Sequence, residues 1–153
     1  MFLKLIRTND SFAVTILRLM LGIVFLPHGA QKMLGMFGGG GFSATMKMFE
    51  TGQHIPAVFA FLAIAAEFFG AIGLILGFLS RIAAFGIFTN MAVAIYMVHA
   101  RNGFFMNWSG KQAGEGYEYH LLVLAMTTAI MILGAGAFSL DGVLYRRSGH
   151  MRF

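Results

Sequence analysis

The sequence predicts an all-α fold set in a membrane: an integral membrane four-helix bundle. Three observations predict it. First, 58% of the 153 residues are hydrophobic and only 11% are charged, whereas a soluble domain carries about a quarter charged residues to keep its surface wet. Second, the apolar residues gather into stretches long enough to cross a hydrocarbon core about 30 Å thick, which takes roughly 20 helical residues. Third, these runs are continuous rather than alternating, and each exceeds the roughly 10 residues of a barrel strand. A helix also satisfies its own backbone groups inside lipid. One membrane domain over residues 1–153 suits the length.

Span one is predicted over about 12–36, broken only by Arg18 and a polar group near residue 28. It is too long for the apolar core of a secretory signal, about 7–15 residues, and no small-x-small cleavage site follows, so it reads as a retained helix. Loop one (37–55) begins with Gly38–Gly41, read as a flexible linker. Phe42 to Glu50 reads as a short amphipathic helix at the interface. Span two is predicted over about 56–79 and opens on Pro56, which suits a first helical turn. Loop two is only Ser80-Arg81, so spans two and three are antiparallel neighbours. Span three is predicted over 82–100 and span four over 119–138. Loop three (101–118) carries Trp108 and the run Gly114-Glu115-Gly116-Tyr117, with aromatic residues suited to the headgroup layer.

The net charge of +5 does not point to nucleic acid, because the cations are scattered between apolar runs. They report orientation instead. With four spans, both termini and loop two share one side, with Lys4, Arg7, Arg81, Arg146, Arg147 and Arg152 against Lys32, Lys47, Arg101 and Lys111 on the other. Six against four places the N- and C-termini on the cytoplasmic side. The absence of Cys excludes disulfides, thiolate metal sites and a Cys nucleophile.

A carboxyl near the middle of span two, Glu67, is the most informative residue. A charge at the bilayer centre costs at least about 2.5 kcal/mol on insertion scales. Glu67 must therefore face the bundle interior, pair, or take up a proton. It is a candidate proton carrier or ligand anchor, against the plainer role of an interhelical hydrogen bond. Span one supplies partners: Arg18, Gly22, Phe25, Gly29 and Lys32 fall on one stripe, and His28 shares a face with Lys32. Contacts of Glu67 with His28 or Lys32 fit the depths of the two helices. The plainer readings are snorkelling of Arg18 and Lys32 to the headgroups and a satisfied buried imidazole for His28. Span three adds Asn90, suited to an interhelical hydrogen bond or to lining a site. Glu118 and His120 open span four, with His99 opposite. His28, Lys32, Glu67, Asn90, His99, Glu118 and His120 all lean to the outer half, a candidate outward-opening cavity. Two scattered histidines are a weak metal signal, and no metal site is assigned. Ala66, Gly70, Gly73 and Gly77 form a small-residue stripe for close helix packing, with Gly29 in the same role on span one. Arg81 ends span two, set to cap helix carbonyls or to meet lipid headgroups.

In this order, His28-Gly29-Ala30-Gln31-Lys32-Met33, then Glu67 with Gly70, Gly73, Gly77 and Arg81, then Gly116-Tyr117-Glu118-Tyr119, and finally Gly134-Ala135-Gly136-Ala137-Phe138-Ser139-Leu140-Asp141, the sequence resembles the DoxX family of small bacterial membrane proteins. The resemblance covers roughly residues 12–141. It implies a four-helix, multi-pass protein of the bacterial plasma membrane, associated with quinol oxidase, thiosulfate–quinone oxidoreductase or oxidative-stress systems.

Three functions follow as expectations. In the first, the chain is a subunit or accessory of a quinone-linked oxidoreductase, with Glu67 and His28 bonding quinone oxygens, Lys32 stabilising a reduced ring, and Phe25, Phe68 and Phe69 flanking it. A carboxylate and an imidazole suit the accompanying proton transfers. No iron–sulfur ligand set and no nucleotide-binding glycine fingerprint is present in the sequence, so electrons are expected to come from a redox protein partner, a haem on the few histidines, or the quinone itself. In the second, it is a small proton-coupled transporter. In the third, it is a non-catalytic assembly subunit. The packing glycines fit a monomer and a homo-oligomer alike.

Overall fold

A computed structural model describes residues 2–148, and every regular element in it is a helix, with no strand among the described residues. Seven α-helices follow in order: α1 (Phe2–Ile6), α2 (Phe12–Leu34), α3 (Gly41–Lys47), α4 (Ala57–Leu76), α5 (Ser80–Ala94), α6 (Glu118–Leu133) and α7 (Leu140–Arg147). A π-turn over Met48–Gly52 extends α3, and a π-turn with a 3-10 turn carries α5 on to Asn102. Helix α2 packs on α4, α4 on α5, α5 on α6, and α6 returns to α2. Three of these, Phe12–Leu34, Ala57–Leu76 and Ser80–Asn102, are long and apolar enough to cross a membrane, while α6 is shorter.

The core is aliphatic and lies between these helices, with Val14, Leu21, Phe25, Ala71, Leu74, Ala84, Ile87 and Ile130 buried. The outward faces carry bare Phe59, Phe61, Phe69, Phe85, Leu122 and Ile132. Apolar exposure on this scale suits hydrocarbon and not water. Small residues set the closest approaches. A Cβ on Gly29 would fall 2.6 Å from the Phe68 Cα, and one on Gly22 2.9 Å from the Ala71 carbonyl oxygen, so α2 and α4 touch backbone to backbone. Gly70 and Gly73 face α5 instead, at ordinary distances from Ile87 and Ala83.

Helix boundaries correct the predicted spans. Span one ends at Leu34, because Gly35 takes a left-handed cap (φ 73). Pro27 lies inside α2 without ending it, which membrane helices tolerate. The glycine run after it is a packed turn rather than a loose linker: a Cβ on Gly39 would sit 2.3 Å from the Gln31 carbonyl oxygen. The expected interfacial helix of loop one is α3 with its π-turn. Gly77-Phe78-Leu79 makes the tight connection, and Ser80 and Arg81 already belong to α5. Span four stops at Leu133 and not at 138, since Gly134 (φ 90) turns the chain against Arg7 and Thr8.

That turn is built on two charges the sequence left without a structural task. Arg18 is 1% exposed. It neither snorkels nor pairs with a carboxylate. Its Nε donates to Ala135 O at 2.8 Å, Nη1 to Leu74 O and Ile75 O, and Nη2 to Ala137 O and Phe138 O. The five N–H groups thus close the C-terminus of α4 and hold the 135–138 turn against it, where a helix end carries partial negative charge. Asp141 does the converse. Its Oδ1 accepts from Leu79 N (2.8 Å) and its Oδ2 from Ser80 N (2.9 Å), capping the N-terminus of α5. Burial pushes the Asp141 carboxyl up from its ordinary pKa, while the Ser80 and Leu79 N–H donors and the Arg18 charge pull the other way. Arg81 caps α6 rather than α4, through Met131 O and Ile132 O, and also reaches Arg7 O. Arg152, counted with the terminal-side cations, lies outside the described residues.

Candidate functional site

About half a helix length from this stapled end, Glu67 of α4 is buried in the bundle interior. Its residue is 4% exposed. The Gly29 crossing brings α2 close enough for Lys32, one turn further along, to place its Nζ on Glu67 Oε2 in a short ion pair. From the opposite side Asn90 of α5 donates its Nδ2 to Oε1 at 2.7 Å. Three helices therefore meet at one carboxylate. Lys32 keeps a quarter of its side chain exposed while that of Glu67 is 5% exposed, so the ammonium marks the accessible edge of the site.

Tyr119 of α6 packs with its ring partly buried against the core. Its hydroxyl is buried without a hydrogen-bond partner. Buried polar atoms normally have one, so this orphan is a donor–acceptor position left open inside the bundle. The sequence offered Tyr119 only as the middle of Glu118-Tyr119-His120; an aromatic hydroxyl one residue inside an apolar run was the available signal.

The remaining candidates go elsewhere. His28 is exposed on the outer face of α2, with its ring 6.4 Å from that of Phe25, and does not reach Glu67. Glu118 serves the 103–117 loop: its Oε1 accepts from Met106 N at 2.7 Å. His120 is buried, its ring centroid 4.1 Å from that of His99 across the α5–α6 seam, and its Nδ1 has no partner. His99 Nδ1 bonds the Glu115 carbonyl oxygen at 2.8 Å. Among the described residues no three His, Asp or Glu side chains converge as a metal-binding set. The single outward cavity expected from the polar residues is thus divided. One group is Lys32, Glu67 and Asn90. The other is the His99–His120 pair under a cleft lined by Arg101, Asn102 and Glu115.

An apolar helical chain with a carboxylate buried and paired in its interior defines a multi-pass membrane protein with an internal polar site. The DoxX family model matches residues 13–100. The chain belongs to the DoxX family, and the matched segment holds Lys32, Glu67 and Asn90 but not Tyr119, His120 or Asp141. No curated protein and no solved structure matches the chain.

Proposed function

We propose that this protein is a subunit of a quinone-linked redox system of the bacterial plasma membrane, and that α2, α4, α5 and the shorter α6 all cross the bilayer with both termini cytoplasmic. The observation that carries the reading is the carboxylate of Glu67, buried among apolar helices and held by Lys32 and Asn90. An ionisable group in the bilayer interior is costly and is a functional site by default.

Reduction of a quinone places two electrons on the ring and two protons on its oxygens. The residues present fit such a head group: Tyr119 Oη is a free donor, and the partly exposed Lys32 ammonium has donors beyond the one spent on Glu67. Glu67 holds or releases a proton at Oε1 or Oε2, and Lys32 and Asn90 fix the direction in which those oxygens point. Ile64 and Ala71, about one turn to either side of Glu67 on α4, are fully buried, and a dry setting strengthens each of these interactions. Electrons come from a partner protein.

A second reading has its own support. Both Glu67 oxygens are already bonded, so the cluster is complete as an interhelical clamp, and the chain is then an assembly subunit without chemistry. One experiment separates the two. The protein is purified in native lipid, and bound quinone and co-purifying proteins are measured for wild type, Glu67→Gln and Tyr119→Phe. The redox reading expects quinone in the wild type and at least a severalfold loss in both variants. Unchanged quinone content with poorer recovery of a complex would favour the clamp.

A further inference from the structure

We propose that the groove between the start of α2, the end of α4 and helix α7 holds an anionic phospholipid, with its chains on Phe12, Leu76, Phe138, Leu140 and Val143 and its phosphate on Arg146. The groove lies at the end of the bundle away from the 103–117 loop and does not depend on the reading of Glu67.

The turn after α6 builds one wall. Thr15 Oγ1 donates to Ala137 O and Arg18 Nη2 to Phe138 O, both at 2.7 Å. These bonds help to hold the Phe138 backbone in the left-handed region (φ 50), which a bulky residue rarely adopts. The Phe138 ring is 83% exposed, so little packing within the chain offsets that strain. A strained residue whose side chain points away from its own fold marks a task outside the chain.

Helix α7 builds the other wall. It buries Asp141 and Gly142 against the bundle and leaves Leu140, Val143 and Leu144 exposed. Leu140 and Val143 join Phe12, Leu76 and Phe138 around a groove of about 810 Å³, a size that takes an organic ligand rather than an ion. The apolar surface runs on from the groove along α2. Phe12, Ile16 and Met20 are all exposed and share one face at steps of four residues, which makes a track of about 12 Å towards the middle of the membrane. A hydrocarbon chain fits such a track.

The mouth of the groove is polar. Arg146 and the exposed Arg147 end α7. Arg146 Nη1 donates to Asp10 Oδ1 at 3.0 Å, with both side chains largely open to the surroundings. An exposed pair of this kind is weak, and it leaves most of the guanidinium fork for a phosphate, which the fork matches in shape. Asp10 is the only carboxylate among the described residues lining the groove. The nearby Asp141 is buried, with its oxygens on the Leu79 and Ser80 N–H groups. An apolar floor with a cation at its edge complements an anionic phospholipid; a zwitterionic head group would bring a second cation up to Arg146.

Lipid retention by the full-length protein reads the site. The protein is stripped of native lipid in detergent, and phosphatidylglycerol or phosphatidylcholine of equal chain length is added back. Bound lipid is counted by native mass spectrometry, and melting temperature is followed in parallel. The wild type should bind phosphatidylglycerol about fivefold more tightly than phosphatidylcholine, the scale of one Arg at an anionic membrane surface. Arg146→Gln should erase that preference, and Asp10→Asn should widen it by freeing the guanidinium. Arg101→Gln, at the other end of the molecule, should leave it unchanged. Phe138→Gly should lose both lipids severalfold yet melt at least as high as wild type without lipid, because glycine suits φ 50. A wild type that binds the two lipids alike, an Arg146→Gln that keeps the preference, or a Phe138→Gly that keeps its lipid would overturn the site. An Arg101→Gln that loses as much as Arg146→Gln would overturn it too, since the attraction would then belong to the cationic surface at large.

Discussion

Arg18 and Glu67 are both charged residues inside apolar helices, yet they have opposite surroundings. Arg18 meets five backbone carbonyls and nothing that can exchange a proton with it. Glu67 meets an ammonium and an amide. The first is a structural staple and the second is a site. Removing the staple orphans buried carbonyls, each costing about 1–3 kcal/mol. Arg18→Met is therefore expected to lower stability by about 3 kcal/mol or more, with Arg18→Lys intermediate because one ammonium cannot span the five acceptors. Thermal melting in a fixed detergent reads the order; equal melting of the three proteins would refute the staple. Asp141→Ala removes both capping acceptors at the start of α5 and should cost about 1–2 kcal/mol in the same assay. The sequence made Glu67 conspicuous through its cost in lipid. It could not show that Arg18 would be satisfied by backbone from two distant segments, because carbonyl acceptors leave no trace in side-chain identity. His28 misled for a related reason: a place four residues before Lys32 fixes the helix face only to within a turn, and the α2–α4 crossing turns the ring outward.

At the scale of elements, the α2–α4 contact positions the site, and Gly29 sets its closeness. The nearest neighbours of an added Cβ there are backbone atoms of Phe68 and Glu67, at 2.6–2.8 Å, which cannot give way as a side chain can. Gly29→Ala should push α2 away from Glu67, cost about 1–3 kcal/mol as an overpacked contact, and lower bound quinone along with stability. Gly70→Ala is the control, since its added Cβ would meet Ala83 and Ile87 at an ordinary 3.6 Å. If Gly70→Ala proved as harmful as Gly29→Ala, the assignment of the tight crossing would fail. Helix existence was legible throughout, because apolar periodless runs of this length have few alternatives. Helix ends were less so. The stop of α6 at Leu133 depends on Gly134 pressing against Arg7 and Thr8, a contact between residues 126 or more positions apart. The small helices α1 and α7 went unpredicted, since five and eight residues carry too little pattern to separate them from charged flanks.

The molecule as a whole is an apolar body whose polar residues are divided between its two ends and one internal cluster. The cation count that orients it is modest, six against four, so topology is best tested outright. The chain has no Cys, and single cysteines can be introduced at Lys4, exposed near the start of the chain, and at Ser109 in the 103–117 loop. Four crossings with cytoplasmic termini predict that an impermeant maleimide labels Ser109→Cys on intact cells and Lys4→Cys only after permeabilisation. Equal labelling of both on intact cells would mean that α2, α4 and α5 do not carry the 103–117 loop to the far side. The polar cluster is the harder whole-molecule claim, because three helices must bring Lys32, Glu67 and Asn90 to one point. A double-mutant cycle in lipid nanodiscs tests it most directly, comparing unfolding of wild type, Lys32→Met, Glu67→Gln and the double variant. Stranding a buried charge without its partner costs on the order of 3 kcal/mol, so Lys32→Met should be strongly destabilising with Glu67 in place and nearly neutral once Glu67 is Gln. Additive effects of the two substitutions would show that the carboxylate and the ammonium do not share a site.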